Sequence, residues 1–313
     1  MLTQISHHIK NVLVTYSADD KIIFNNTIIP IQQDRFNSVI HNNEEKTIAF
    51  IDGGQAEILS SGNFCLSFIR VCGIVFKGNT KVDSITNEFY IFTKVMYENS
   101  DILYQSTLFP VTEKCIDEQD LLISSNDQTI KTGKERAPIS KVTNMARRFA
   151  EIALANQIHA DSIILDGTLE PTFKNEEKYI AKLPGNVCAL AKTSSLCTTS
   201  GNSPVILLNK ISPQGCWSYH VHEKTSFVKL HDNAKHVFRF EGDNNVLSSL
   251  LNNCTDALFL GYPYGLLLAD RMARVSNSET KSFKMKFLLN KDNKDIAEYL
   301  HSSNAHDILD NLG

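Results

Sequence analysis

The chain has 313 residues with 31 basic and 35 acidic side chains, so its formal net charge at pH 7 is −4. Hydrophobic residues make up 42% of the chain and charged residues 21%, which excludes a disordered, collagen-like or coiled-coil protein. The mild acidity argues against a general attraction to nucleic acid. Phosphate binding depends on local basic clusters, however, so the total charge is a weak guide.

The cysteines and the apolar segments indicate the cellular compartment that the sequence predicts. The longest apolar stretch, 257–269, is about 13 residues, whereas a bilayer span needs roughly 20. The N-terminal sequence lacks a charged region followed by a clean apolar one, so no signal peptide is predicted. The seven cysteines form no CxxC pair, as expected for reduced thiols. These features predict a cytoplasmic protein with no membrane partner.

The first third of the chain predicts mostly strands. Residues 1–45 show no clear pattern and are set apart as an N-terminal segment of uncertain structure. Thr47–Asp52 is a continuous apolar run, which suits a strand buried on both faces and stopped by the Gly53-Gly54 pair. Three further segments predict an antiparallel meander: 56–60, 64–76 and 88–96.

The rest of the chain alternates helices with strands. Residues 111–140 lack periodicity and predict an exposed connection. Lys141–Asn156 predicts a helix, and Ser162–Asp166 predicts a second apolar strand closed by Asp-Gly. Further predicted elements are a helix near 173–183, strands at 187–192, 216–222, 226–231 and 236–241, and helices near 262–275 and 303–312. The order predicts an α/β fold in which residues 46–313 form a single domain.

Two aspartates stand at the ends of predicted buried strands. Asp52 and Asp166 each precede a glycine where the apolar run stops. Neighbouring parallel strands lie about 4.8 Å apart, so the two carboxylates could share divalent ions that act on a phosphodiester. Oxygen ligands favour Mg²⁺ or Mn²⁺ over zinc. Each Asp-Gly pair taken alone is also ordinary turn chemistry.

A C-terminal motif decides between these interpretations. The segment Gly261-Tyr-Pro-Tyr-Gly-Leu-Leu-Leu-Ala-Asp270, taken with Asp52-Gly-Gly and Asp166-Gly-Thr-Leu, resembles the archaeal NurA nuclease family. That family carries, in this order, an acidic-Gly motif, a helix with a glutamate, a DG(S/T)L motif and a YP…A(H/D) motif. Segments 192–196 and 237–242 also look like the family, and the resemblance runs from about residue 45 to the C-terminus.

The resemblance implies an RNase H-like fold, a mixed sheet flanked by helices with extra elements, and an active site that holds Mn²⁺ or Mg²⁺ as a pair of ions. It implies that Asp52, Asp166, Glu151 and Asp270 are metal ligands and catalytic residues, and that Tyr262 acts beside them. Many relatives have histidine at the position of Asp270, so this chain departs from the pattern there.

The resemblance also implies an activity and partners. The expected activity is single-strand endonuclease and 5′–3′ exonuclease cleavage of DNA, in the end resection that precedes double-strand break repair by homologous recombination. The family acts as a homodimer with the hexameric HerA translocase, and this chain has no G-x-x-x-x-G-K-[ST] motif of its own. The alternatives are a weak or inactive subunit that binds DNA or HerA, and a phosphatase or phosphotransferase.

Two of the acids have competing structural interpretations. Glu151 lies about 140° from the centre of the apolar face of its helix, at 100° per residue, which predicts a solvated glutamate paired with Arg148. Only a second covered face on that helix, or a site at its edge, would give Glu151 a role in the chemistry. Asp270 has Arg274 four residues later, which predicts a routine salt bridge.

Basic residues cluster on both sides of the acidic motifs. Residues 131–148 hold six basic side chains against one acid, and a second cluster comprises Arg271, Arg274, Lys281, Lys284 and Lys286. Such clusters suit a groove for a phosphate backbone, although they are usually solvated faces. The predicted DNA contacts are Lys192, Arg148, Arg271 and Arg274. Lys192 follows an apolar strand, so it is either a phosphate contact or a strand-end lysine in water.

Overall fold

The computed structural model of the protein describes residues 1–14, 20–42 and 44–303. In these ranges eleven strands form one large sheet and three form a small second sheet. Helices pack on both faces of the large sheet, as an α/β fold requires. No helix of the described residues has the length and apolar character needed to cross a membrane.

The elements follow the chain in this order. The strands are β1 Lys21–Phe24, β2 Thr27–Pro30, β3 Phe36–Ser38, β4 Thr47–Ser61, β5 Phe64–Lys77, β6 Thr80–Glu98, β7 Asp101–Pro110, β8 Ile123–Ser124, β9 Ser162–Asp166, β10 Val187–Ala191, β11 Cys197–Thr198, β12 Trp217–His222, β13 Thr225–Lys229 and β14 Phe238–Glu241. The helices are α1 Leu2–Val14, α2 Lys141–Ala155, α3 Glu177–Ile180, α4 Pro204–Ile211, α5 Leu247–Leu250, α6 Tyr264–Ala273, α7 Asn277–Leu288 and α8 Lys294–Ser303.

The large sheet has the strand order β3-β12-β13-β14-β10-β9-β4-β5-β6-β7-β8. Strand β9 runs parallel to both β4 and β10, and the other pairings are antiparallel. The predicted meander is therefore confirmed, and it extends through β7, a strand that was not predicted. The small sheet, β11-β1-β2, includes two strands from the N-terminal segment.

Strand β4 does not stop at Gly53-Gly54 as predicted but continues to Ser61. A Cβ atom on Gly53 would lie 2.5 Å from the Oε1 atom of Glu151, and one on Gly54 would lie 2.2 Å from the carbonyl oxygen of Ala273. The glycine pair therefore permits helices to approach both faces of a continuous strand. The predicted turn after β9 is confirmed, because Gly167 has a φ of +105°.

The two faces of β4 enter different cores. Ala49 and Ile51 pack beneath α2, together with Phe149 and other apolar residues of that helix. Ile48 and Phe50 face the opposite way and pack beneath α5 and α6. Because strand side chains alternate between faces, this register assigns the side chain of each later residue of β4 to one helix layer or the other.

Residues 111–140 are not the exposed connection that the sequence predicts. They contain strand β8 and bury five apolar side chains: Ile116, Leu121, Ile123, Ile130 and Ala137. These residues belong to the core beneath α2 and cover the β7 side of the sheet. The prediction was wrong because isolated apolar residues in a polar segment carry no periodicity.

Several other predicted elements differ in extent. The helix predicted at 173–183 is confined to the single turn α3, and helices α4, α7 and α8 were not predicted. The predicted final helix, near 303–312, falls almost wholly outside the described residues, which end at 303.

Candidate active site

Asp52 and Asp166 lie side by side on parallel strands. The last paired residues of β4 and β9 are Ile51 and Leu165, and the two aspartates follow them directly. Each aspartate lies two residues after a residue of the core beneath α6. Because strand side chains alternate between faces, both aspartate side chains lie on the α6 face of the sheet. The structure thus brings together the two carboxylates that the sequence singled out.

Asp52 is buried, with 4% of its surface exposed. Its Oδ1 atom accepts a hydrogen bond from the backbone N–H of Gly53 at 2.7 Å, and its buried Oδ2 atom has no hydrogen-bond partner. Burial, followed by the charges of Asp166 and Glu151, raises the pKa of Asp52 to about 8. An isolated acid in this position is costly, so a cation would stabilise its ionised form.

Asp166 is held by a lysine and a tyrosine. The Nζ atom of Lys192 is 2.9 Å from Oδ2 of Asp166, and the hydroxyl of Tyr262 donates to Oδ1 at 3.3 Å. Burial lowers the pKa of Lys192, but the hydrogen bond and charge of Asp166 outweigh it and leave that pKa raised. Burial and then the charge of Asp166 raise the pKa of Tyr262 well above its usual range, so the phenol is a neutral donor.

Glu151 is buried on α2, and the expectation of a solvated side chain is wrong. It is 4% exposed and lies against Gly53, where the missing side chain of β4 lets α2 approach closely. Its Oε1 atom is 2.6 Å from Nη1 of Arg147, and its Oε2 atom is 3.7 Å from Nη1 of Arg148. Burial raises the pKa of Glu151, and the two arginines partly offset that effect.

Asp270 lies on α6 near these groups but is only half-buried. Its Oδ2 atom forms the predicted salt bridge with Arg274 at 2.7 Å. The charge of Asp270 also contributes to the raised pKa values of Lys192 and Tyr262, which places it beside the site. Its role as a ligand stays a prediction.

The four predicted DNA contacts occupy different environments. The side chain of Lys192 is 45% exposed beside Asp166, and Arg271 and Arg274 are exposed near the end of α6. Arg148, in contrast, is buried: its Nε atom is 2.8 Å from Glu176, and its Nη2 atom donates to the carbonyl of Thr168. Arg148 is therefore unsuited to the phosphate contact predicted for it.

The donor chemistry fits a hard divalent cation. The unpartnered Oδ2 atom of Asp52 and the neighbouring carboxylate of Asp166 are oxygen ligands of the kind that Mg²⁺ and Mn²⁺ prefer. As the side chains stand, no group of three His, Cys, Asp or Glu residues in the described ranges is arranged to hold a metal ion. Arg147 and Lys192 instead neutralise Glu151 and Asp166.

Three charged residues at the site were not singled out from the sequence. Arg147 donates to the carbonyl of Gly53 at 3.0 Å as well as to Glu151. Glu176 and Glu241 have buried carboxylates that accept hydrogen bonds from the segment after β9. The donors are the backbone N–H groups of Thr172 and Leu169, respectively. Two sequence features could have identified some of these residues. One is the glycine pair in the strand that Arg147 contacts, and the other is the glutamate inside the apolar segment Val237-Phe-Arg-Phe-Glu-Gly.

Comparisons with known proteins identify the fold. No protein-family model and no curated protein sequence matches the chain. The structure is similar to that of the NurA nuclease from Sulfolobus solfataricus, with a TM-score of 0.54 and 14% identity over 94% of this chain and 95% of that one.

Two further solved structures show weaker likeness. A second NurA structure has a TM-score of 0.49 and 10% identity, and covers 93% of this chain and 94% of its own. Endonuclease V from Ciona intestinalis, bound to DNA with an inosine followed by a ribo-adenosine, has a TM-score of 0.39 and 11% identity, and covers 78% and 92%. The likeness to NurA and the RNase H-like mixed sheet are confirmed at the level of the fold.

Proposed function

We propose that the protein is a metal-dependent deoxyribonuclease that hydrolyses phosphodiester bonds with Mn²⁺ or Mg²⁺. The observation that carries the proposal is the pair of aspartates on adjacent parallel strands, one of which has a buried, unpartnered carboxylate oxygen. The fold shared with a NurA nuclease supports it. Asp52 and Asp166 are the proposed principal ligands, with Glu151 and Asp270 completing the set.

The chain's own residues supply orientation and charge. Tyr262 holds Asp166 through its hydroxyl, and Arg147 fixes Glu151 against β4. Lys192 carries a positive charge next to Asp166 and is exposed enough to contact a phosphate oxygen. Divalent ions, when bound, supply the Lewis acidity that activates a water and offsets the charge of the phosphate.

The proposed substrate and partners follow from the resemblance to NurA. We propose single-strand endonuclease and 5′–3′ exonuclease activity in DNA-end resection during recombinational repair. We also propose a homodimer that receives DNA from a HerA-type hexameric translocase. Arg271 and Arg274, exposed near the site on α6, are the proposed contacts with the DNA backbone.

The proposal is tested by incubating the purified chain with labelled single-stranded DNA and Mn²⁺, with EDTA in a parallel reaction. Metal-dependent cleavage that is lost in Asp166→Ala supports it. No cleavage, with or without a translocase, would overturn it. Turnover of small phosphate esters without DNA cleavage would instead identify a phosphatase.

One observation favours the second candidate, a subunit that binds DNA or a translocase without cutting. Lys192 is paired with Asp166, and Arg147 is paired with Glu151. Because these cations already balance the two carboxylates, the acidic site does not require a metal ion for charge balance. Binding of single-stranded DNA that is equal in Mn²⁺ and in EDTA, without cleavage, would favour this candidate.

A further inference from the structure

Glu241 is a buried acid on the face of the sheet opposite Asp166. It ends β14, where it pairs with Ala189 of β10 and Thr225 of β13. Since Ala189 packs beneath α2, the side chain of Glu241 also lies on the α2 face. Glu241 is 5% exposed, so its carboxylate depends on the protein for stabilisation.

The contacts of Glu241 converge on the turn after β9. Its Oε2 atom accepts the backbone N–H of Leu169 at 2.7 Å. Its Oε1 atom is 2.8 Å from Nη2 of Arg239, a contact between opposite charges that lacks the angle of a hydrogen bond. Arg239 also contacts Glu170 at 2.7 Å. One buried acid thus reaches two consecutive residues of the turn, directly and through an arginine.

A second buried charge holds the same turn from α2. Arg148 donates to the carbonyl of Thr168 and binds Glu176 at 2.8 Å. The N–H of Gly167 donates to the carbonyl of Leu190 at 3.2 Å. Two peptide units after Asp166 are therefore fixed: the 166–167 unit through its N–H, and the 168–169 unit through both its carbonyl and its N–H.

The pKa of Glu241 stays above its usual value, so its stabilising contacts offset only part of the effect of burial. Burial raises the pKa of Glu241, while the hydrogen bond from Leu169 and the charge of Arg239 oppose that effect. Removal of the carboxylate would leave the N–H of Leu169 without its acceptor, and the guanidinium of Arg239 would keep its contact with Glu170 but lose the one with Glu241.

We infer that Glu241 is a positioning residue that sets the orientation of Asp166 by anchoring the Gly167–Leu169 turn. The inference rests on the proposed function, because Asp166 is its proposed metal ligand. Glu241 does not reach the substrate: it acts through the backbone of the turn. A loosened turn displaces Asp166, which weakens metal binding and slows cleavage, but the exposed residues that contact DNA are unchanged.

The test compares Glu241→Ala and Glu241→Gln with the wild type. Mn²⁺ binding is measured by calorimetry without DNA, and kcat and KM are measured on single-stranded DNA. We expect Glu241→Ala to weaken Mn²⁺ binding about tenfold, as loss of an outer-shell partner does, and to lower kcat with KM within twofold. Glu241→Gln keeps an oxygen that accepts the Leu169 N–H, so we expect it to retain most of the wild-type Mn²⁺ affinity and kcat.

The matched control is Asp20→Ala. Asp20 is another buried acid that accepts a backbone N–H, from Ser200 at 3.1 Å, but it lies before β1 in the small sheet. Its loss should leave Mn²⁺ binding and kcat unchanged, with folding of all variants checked by circular dichroism.

Wild-type Mn²⁺ affinity and kcat in folded Glu241→Ala would overturn the inference and leave the proposed function intact. An increase in KM alone, or an equal loss of kcat in Glu241→Gln and Glu241→Ala, would also overturn it. Absence of Mn²⁺ binding and cleavage in the wild type would overturn both.

Discussion

At the scale of single residues, Asp52 dominates the electrostatics of the site. It is buried next to two other acids, and its Oδ2 atom has no partner. Proteins rarely keep such a group, since burial of an unpaired ionised carboxylate costs several kcal/mol. The cost is removed by protonation or by a bound cation. Its proposed role as a ligand makes both metal binding and stability depend on pH.

The pH dependence gives the first prediction. The pKa of Asp52 rises from 3.8 to about 8 in the folded protein, so the folded state binds the extra proton between these values. Stability of the metal-free protein should therefore fall as pH rises from about 4 to about 8. Asp52→Asn should flatten this dependence and raise the melting temperature in EDTA at pH 8. An unchanged pH profile in thermal melts of the variant would contradict the assignment.

The acids should also differ in their effect on cleavage. Loss of a principal ligand removes several kcal/mol of transition-state stabilisation, so Asp166→Ala should lower kcat on the order of 1,000-fold. Asp270 is half-exposed and paired with Arg274, so Asp270→Asn should cost less than about tenfold. Single-turnover rates on labelled DNA measure both. A larger loss of cleavage rate in Asp270→Asn would contradict this ranking and indicate that Asp270 is a principal ligand.

At the scale of elements, the sequence predicted strands and motifs better than the distances between them. The apolar run that ends in Asp52 and the strand that ends in Asp166 are both observed, and both aspartates follow from local patterns. The burial of Glu151 does not follow from a local pattern, because it depends on the contact of α2 with Gly53 of β4, which is distant in the sequence. Gly53-Gly54 was interpreted as a turn because a glycine pair is a turn signal in most sequences.

Gly265 provides a prediction at this scale. A Cβ atom there would lie 2.0 Å from the Cδ2 atom of Phe50, so α6 packs directly on β4 through this glycine. Gly265→Ala should force the helix outward and lower the free energy of unfolding by about 1–3 kcal/mol. Gly62→Ala is the control, since its Cβ atom would meet nothing within 4 Å. Urea denaturation measures both, and equal stabilities would contradict the packing.

At the scale of the whole molecule, the net charge of −4 does not describe the surface that DNA would meet. Part of the formal negative charge is assigned to buried acids at the site, and Asp52, with a pKa of about 8, is mostly protonated at pH 7 in the metal-free protein. Arg271 and Arg274 place positive charge outside the site. A modest affinity for free DNA is therefore expected, with delivery by a translocase as the proposed means of engaging substrate.

The salt dependence of DNA binding tests this distribution of charge. Each phosphate contact with single-stranded DNA contributes about −0.7 to the slope of log K against log salt. Arg271→Ala/Arg274→Ala should therefore reduce the magnitude of the slope by about 1.4, measured by fluorescence anisotropy in Ca²⁺ to prevent cleavage. Lys77→Ala is the control, because Lys77 ends β5 and pairs with Glu45 at 3.5 Å, far along β4 from the site. A slope unchanged by the double variant would contradict the proposed contacts.

The proposed function requires that Asp52 and Asp166 share a divalent ion. Anomalous diffraction from a crystal of the wild-type protein soaked in Mn²⁺ shows whether they do. The predicted result is a peak in contact with Oδ2 of Asp52 and with the carboxylate of Asp166, with Lys192 displaced from its present ion pair. A crystal that shows no peak there at Mn²⁺ concentrations that support cleavage, or a peak only at exposed acids elsewhere, would contradict the claim.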